Sequence, residues 1–304
     1  MDKSYVVKTN SLTKKYKDIV ALNHADIQIP RGSIYGLVGN NGAGKTTFLK
    51  ILAGHIYQSE GEFTLLGAET EKEYKKARKR CGTIIENPGF FPMMSAKQNL
   101  EYYRIQRGIP GKEVVFNVLE QVGLEEVANR KFAKMSLGMK QRLGLALALM
   151  GEPELLILDE PINGLDPSGI IEIRNLLLKL NREKNVTILI SSHILTELEN
   201  VATDYGFLNK GVLVEQITAK KLHEKCCSYL EVKVTDTKKY VALLESELHC
   251  TDYKVMPDKS VQINVDVDDI VKYSTLAAKH EIGIIAFDRK EINLENYYMN
   301  IINA

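Results

Sequence analysis

The sequence predicts an α/β fold: a parallel sheet carrying a phosphate-binding loop, a mainly helical lobe inserted into it, and a small α/β domain after it. Three observations lead there. An apolar run, Ile34-Tyr35-Gly36-Leu37-Val38, passes directly into Gly39-Asn40-Asn41-Gly42-Ala43-Gly44-Lys45-Thr46-Thr47 and then into residues with helical spacing. A second run, Leu155-Leu156-Ile157-Leu158, ends on the carboxylates Asp159 and Glu160, as a strand buried on both faces would. Beyond Glu215 short alternating runs take turns with helical stretches, which marks a change of domain. The expected boundaries are 4–215 and 216–304.

Taken in order, Val6, Val7 and Leu12 open an edge strand that ends near Tyr16. Ala21 to Ile29 alternates apolar and polar residues and is closed by Pro30-Arg31-Gly32. Gly61 to Gly67 is a short strand, Lys72 to Arg80 a basic helix with a solvated face, and Gly82 to Ile85 a strand ending on Glu86. Asn87-Pro88-Gly89-Phe90-Phe91-Pro92 is a loop; Ser95 with Gln98 forms a capping box for the helical lobe that follows. Ser136-Leu137-Gly138-Met139 precedes an apolar helix. Asn163-Gly164-Leu165-Asp166-Pro167 turns the chain after Glu160, a helix runs from Ile170 to Leu180, and Val186 to Ile190 forms a strand ending in Ser191-Ser192-His193. The tail reads β-α-β-α-β-α, its last helix starting at an Asn293 cap.

Composition narrows the function. Lys and Arg (40) balance Asp and Glu (39) in 304 residues, so no global basic field points to nucleic acid. Cys81, Cys226, Cys227 and Cys250 have neither disulfide-framework nor zinc spacing, which fits idle thiols in a reducing cytosol. The N-terminus lacks a signal-peptide apolar segment, and no run approaches the roughly 20 residues of a spanning helix. The expectation is a soluble chain whose membrane role requires a separate partner.

The glycine-rich loop carries the chemistry. Its glycines let backbone N–H groups converge on an anion, and the following helix adds its positive end. Lys45 supplies a cation to β- and γ-phosphates and the Thr46 hydroxyl a ligand for Mg²⁺, which makes a nucleoside triphosphate the expected ligand. Asp159 is placed to complete the Mg²⁺ shell and Glu160 to polarise an attacking water. His193, ending a strand beside this site, reads as a γ-phosphate contact rather than a structural histidine. Tyr16 could stack on a base, worth about 1–3 kcal/mol, or be a partly exposed core tyrosine; the sequence leaves both open.

Together these residues resemble the ATP-binding subunit of an ATP-binding-cassette (ABC) transporter, over residues from about Tyr5 to Val214. The resemblance implies an ABC-type P-loop ATPase domain that works as a head-to-tail pair, with ATP and Mg²⁺ held between two copies. It implies that Gly39, Asn40, Asn41, Gly42, Ala43, Gly44, Lys45, Thr46 and Thr47 hold ATP, and that Tyr16 stacks on adenine. It further implies that Glu160 is the base, that Ser136 and Gly138 act on the partner's ATP, and that Asp166 lies across the interface. Two positions depart from the family pattern. Leu137-Gly138-Met139 replaces the usual Gly-Gly-Gln, and Glu86 replaces a glutamine, where a carboxylate would hold Mg²⁺ more strongly but repel the γ-phosphate. A slower or more tightly Mg²⁺-gated ATPase is expected from it.

Both departures, with the Pro-Gly-aromatic loop after Glu86, resemble the exporters of bacitracin and lantibiotic peptides. That likeness implies a peptide cargo bound by an integral membrane permease rather than by this chain. It implies a homodimer of nucleotide-binding domains, peripheral on the inner face of the membrane and cytoplasmic. The tail, with Leu294-Glu295-Asn296-Tyr297-Tyr298, is similar to tails of family relatives and reads as a dimerisation or regulatory module, or as a stabilising appendage. Competing functions are a non-transport ABC ATPase, an exporter of an unrelated small molecule, and an ATP sensor without turnover. One cassette without a heptad insert disfavours the first, and intact Lys45, Asp159, Glu160 and His193 disfavour the last.

Overall fold

The long strand β1 (Tyr5–Tyr16) is the spine of an antiparallel sheet, because three other segments pair with it: β2 (Ile19–Ala25), β3 (Gln28–Pro30) and β5 (Glu60–Leu65). The computed structural model describes residues 4–86, 89–225, 229–264, 270–290 and 294–303. Asn87, Pro88, the Cys226-Cys227 pair, Val265 and the expected Asn293 cap lie outside the described residues. Contacts divide the chain into two units, Met1–Ala219 and Lys220–Ala304.

The single strand expected over Ala21 to Ile29 is two. The buried Thr9 hydroxyl donates to Ala25 O at 2.6 Å and accepts from Ile27 N at 2.7 Å, and His24 turns into the left-handed region at φ 46. A side chain therefore replaces a ladder bond, and the chain steps from one half of β1 to the other. Tyr16 pairs with Ile19, so it closes the hairpin of β1 and β2.

The second sheet of this unit has the order β10-β9-β4-β8-β7-β6. Its strands are β4 (Ile34–Val38), β6 (Cys81–Ile84), β7 (Leu155–Asp159), β8 (Thr187–Ser192), β9 (Asp204–Asn209) and β10 (Val212–Thr218). All neighbours are parallel except β10 on β9. Every residue of β4 and β8 is buried, which explains continuous apolar runs in place of alternation. Helix α1 (Lys45–Ala53) fills the space between the two sheets. Its Phe48, Leu49, Ile51 and Leu52 share one core with Val6 and Leu12 of β1, Leu37 of β4 and Ile157 of β7. Fully burying each such side chain stabilises by about 1.5–3 kcal/mol.

Helix α2 (Glu71–Arg78) precedes β6. The inserted lobe follows it with α3 (Ala96–Gln106), α4 (Glu113–Gln121) and α5 (Leu137–Leu149). The Ser95–Gln98 capping box forms as expected: Gln98 N donates to Ser95 Oγ at 3.2 Å, and Ser95 N donates to Gln98 Oε1 at 2.9 Å. Helix α6 (Pro167–Lys184) starts earlier than expected, because Asp166 caps it and Pro167 is preset for a first helical turn. The short α7 (Leu195–Glu199) and strand β9 have no counterpart in the sequence reading. No helix among the described residues is long and apolar enough to cross a membrane.

In the second unit β11 (Tyr229–Val234), β12 (Tyr253–Val255), β13 (Val261–Asn264) and β14 (Ile284–Lys290) form an antiparallel sheet of order β12-β13-β11-β14. With α9 (Thr237–Glu247) and α10 (Ile270–Lys279), the order is β-α-β-β-α-β, a split βαβ arrangement; helices α8 (Ala219–Lys225) and α11 (Leu294–Asn303) precede and follow it in sequence. The expected β-α-β-α-β-α order lacks β12, a strand of only three residues, half-buried or exposed and too short to show a period. Leu230, Val232, Tyr240, Leu244, Val261, Ile263, Tyr273 and Leu276 make this unit's own core.

Burial pushes the Cys81 thiol up to about 12, against smaller downward pulls from Arg80 and Arg78. Native protein at pH 8 should leave Cys81 unmodified by iodoacetamide, with reaction only after denaturation; peptide mass mapping reads this directly.

Candidate active site

Three neighbouring parallel strands, β4, β8 and β7, end on one line, because their register pairs Val38 with Ser192 and Asp159 with Ser191. The C-terminal edge of such a sheet is where α/β folds bind ligands. The loop after β4 curls there. Gly44 has φ +107, and a Cβ on it would meet Ala21 O at 2.4 Å; a Cβ on Gly39 would meet Leu208 O at 2.5 Å. Asn40, Asn41 and Gly42 form the exposed rim, while Ala43 and Lys45 are buried. Ala43 N donates to Asn40 O at 3.0 Å, and Gly211 N to Ala43 O at 2.9 Å, which ties the loop to the β9–β10 turn.

Helix α1 begins at Lys45 with Thr46 and Thr47 in its first turn. The Lys45 ammonium donates to Gly39 O at 2.6 Å and lies 3.7 Å from Glu160 Oε1. Burial lowers its proton affinity; Glu160 and Asp159 pull the other way.

Glu160 is the centre of the polar cluster. Its backbone is left-handed (φ 48), its N–H donates to Ser191 Oγ at 3.0 Å, and Asn163 Nδ2 donates to its Oε2 at 3.0 Å. His193 Nδ1 is also 3.0 Å from Oε2, within ion-pair range but without hydrogen-bond alignment. The Ser191 hydroxyl donates to Asp159 Oδ1 at 2.5 Å, so one serine orients both acids. Left-handed backbone at a non-glycine residue costs on the order of 1–3 kcal/mol and persists only where surroundings impose it.

The structure thus brings Lys45, Asp159, Glu160 and His193 together. Glu86 stands beside α1 with its Oε1 2.5 Å from Lys50 Nζ, so the carboxylate that the sequence presents as free is ion-paired. Tyr16 is 43% exposed at the end of β1, with Lys14 Nζ 5.0 Å from its ring centroid; the exposure is open to a stacking base. Ser136 and Gly138 share no hydrogen bond or ion pair with the cluster among the described residues. Ser136 is an exposed N-cap of α5, accepting from Met139 N at 3.3 Å. Asp166 caps α6, accepting from Gly169 N at 3.2 Å and from Ser168 Oγ at 2.9 Å.

Ser191, Asn163 and Lys50 are site residues that the sequence reading did not single out. A serine ending a buried strand and a cation among the apolar residues of α1 were their only visible signals. A separate cleft lies among Arg31, Arg78, Arg107 and Glu154 and contains none of the cluster. Its arginines are engaged structurally: Arg78 donates to Leu52 O at 3.0 Å, Arg107 to Leu147 O at 3.0 Å, and Arg31 pairs with Glu154 at 3.1 Å.

For Mg²⁺ the donor set expected from the sequence is Thr46, Asp159 and Glu86, all oxygen ligands. No group of three or more His, Cys, Asp or Glu able to hold a metal occurs among the described residues. An oxygen donor set with two carboxylates suits an ion that is bound together with substrate phosphates, as Mg²⁺ is.

The family model described as "ABC transporter" matches residues 22–163. The chain is 40% identical to the bacitracin transport ATP-binding protein BcrA of Enterococcus faecalis over 300 residues, 99% of this chain and 97% of that one. It is 39% identical to the lantibiotic transport ATP-binding protein SrtF of Streptococcus pyogenes over 209 residues, 69% of this chain and 89% of that one. Among solved structures it is similar to the dimeric post-hydrolysis state of the ATP-binding cassette MJ0796 bound to ADP and Pi. There the TM-score is 0.64 at 26% identity, covering 70% of this chain and 98% of that one.

Gly44→Ala should destabilise the chain by at least about 2 kcal/mol, from backbone strain added to the clash with Ala21 O. Urea unfolding with an unchanged m value is the check.

Proposed function

This chain belongs to the ATP-binding subunits of ABC transporters, and from that premise we propose that it energises export of an antimicrobial peptide through a separate permease. Such a subunit binds and hydrolyses ATP, pairs with a second nucleotide-binding domain, and works with a membrane permease. The observation that carries the proposed chemistry is the Lys45, Asp159, Glu160 and His193 cluster at the strand ends.

In the proposed mechanism the loop from Gly39 to Thr47 wraps the phosphates, and Lys45 swings from its own loop carbonyls toward the β- and γ-phosphates. Tyr16 supports the adenine. Mg²⁺, held by Thr46, Asp159 and Glu86, would neutralise phosphate charge. Glu160 accepts the proton of the attacking water, held in place by Asn163, while His193 contacts the γ-phosphate. Ser136 and Gly138 present the start of α5 to the partner copy's ATP, where free N–H groups favour an anion. Asp166 lies across that interface.

The permease would sit on the helical lobe, placing this subunit on the cytoplasmic face of the membrane. Phe91, Met93 and Tyr102 are exposed there (39%, 70% and 42%), and the Phe91 and Tyr102 rings lie 4.8 Å apart, an apolar group that a partner would cover. The peptide cargo is supported by the names of relatives such as BcrA and SrtF. The domain of residues 216–304 would be an accessory module of the pair.

Lys45→Ala should lose ATP binding by 100-fold or more, on the order of 3 kcal/mol for a buried charged contact. Glu160→Gln should bind ATP yet lose turnover by on the order of a thousandfold, and should dimerise with ATP and Mg²⁺ in analytical ultracentrifugation. Adding Ser136→Arg should abolish that dimer without loss of ATP binding; a Glu160→Gln chain that stays monomeric at every concentration sinks the paired mechanism. Co-expression with its permease should raise bacitracin or lantibiotic tolerance, and Lys45→Ala should cancel the rise. Unchanged tolerance to either class of peptide would point to another cargo.

A further inference from the structure

Glu86 puts a formal negative charge at the edge of a site proposed to receive a triphosphate. Lys50 meets it from α1, the helix whose first turn carries Lys45 and Thr46. Five residues separate Lys45 from Lys50, a rise of about 7.5 Å. Phe48, Leu49, Ile51 and Leu52 around it are all in the core, so Lys50 is the polar exception in this stretch. The side chain of Lys50 is mostly covered (28% exposed), while that of Glu86 is largely open (68%). The backbone of Glu86 is left-handed (φ 63), which ties its direction to its surroundings. Lys50 also faces Asp159 and Tyr16, and Glu86 also faces His55.

We propose that Lys50 is a positioning residue for Glu86: its ammonium holds the carboxylate and cancels its charge, so the site accepts ATP where a free carboxylate would repel it. The pair is then electrically equivalent to the neutral glutamine that the family pattern leads one to expect. The inference rests on the triphosphate reading of the Gly39–Thr47 loop. It differs from a direct phosphate contact, in which Lys50 would matter whatever stood at position 86. It also differs from an ordinary surface ion pair, whose loss changes little.

Equilibrium binding of ATP to the full-length chain in EDTA, by calorimetry, separates these. Lys50→Gln should weaken metal-free ATP binding on the order of tenfold, the effect of one unpaired charge near the phosphates. Glu86→Gln should bind metal-free ATP more tightly than the wild type. The double variant should return to within about twofold of wild type, and Lys50→Arg should keep wild-type affinity. With Mg²⁺ present the Lys50→Gln defect should shrink, because the ion supplies the missing positive charge.

A Lys50→Gln defect that persists in the double variant overturns the proposal, whether its origin is a direct phosphate contact or a loss of fold registered by thermal unfolding. So does a Lys50→Gln chain that binds as the wild type does. If instead wild-type protein fails to bind ATP, or Lys45→Ala binds it equally well, the triphosphate reading itself fails and this inference falls with it.

Discussion

A buried ammonium organises the site. Lys45 is taken out of water at the C-terminal edge of the parallel sheet, and the carbonyl of Gly39 and the carboxylate of Glu160 compensate it. A buried cation needs such partners, since desolvation alone would drive off its proton. The loop can supply the carbonyls only because it curls tightly, and it curls so because Gly39 and Gly44 lack the Cβ that would lie 2.5 Å from Leu208 O and 2.4 Å from Ala21 O.

The parallel register does the rest. Strand ends that pair Val38 with Ser192 and Asp159 with Ser191 place the phosphate loop, both acids and His193 at one edge without long flexible linkers. Ser191 is the joint: its hydroxyl orients Asp159 while accepting the Glu160 N–H. The left-handed backbone at Glu160 is held by this bond and by Asn163. Local strain of this kind would hold in place the carboxylate proposed to activate water.

Several polar groups serve a helix end now and are proposed to serve a ligand later. Ser136 caps α5 and Asp166 caps α6 within one chain, which sets their direction before a second copy arrives. A Cβ on Gly138 would meet the Leu165 side chain at 3.5 Å and one on Gly164 would meet that of Leu137 at 3.2 Å, so the serine-bearing helix start and the turn after Glu160 lie close together. Gln141 Nε2 donates to Asn163 O at 3.1 Å, and Asn163 in turn bonds Glu160. A physical connection therefore runs from the surface proposed to meet the partner to the acid proposed to activate water.

What the sequence determined by itself was local and periodic: the buried strands at Ile34 and Leu155, the glycine loop, the Ser95 cap, and the residue types of the site. These follow from patterns that a few neighbouring residues enforce, through burial period and turn chemistry. Tertiary structure alone decided that Lys50 reaches Glu86 across 36 positions, that Ser191 orients two acids, that Thr9 splits the expected strand over Ala21 to Ile29, and that β12 joins the tail sheet. Each of these depends on which segments are brought side by side. A charged or hydroxyl side chain has no periodic signature of its partner, so only the packed chain reveals the pair.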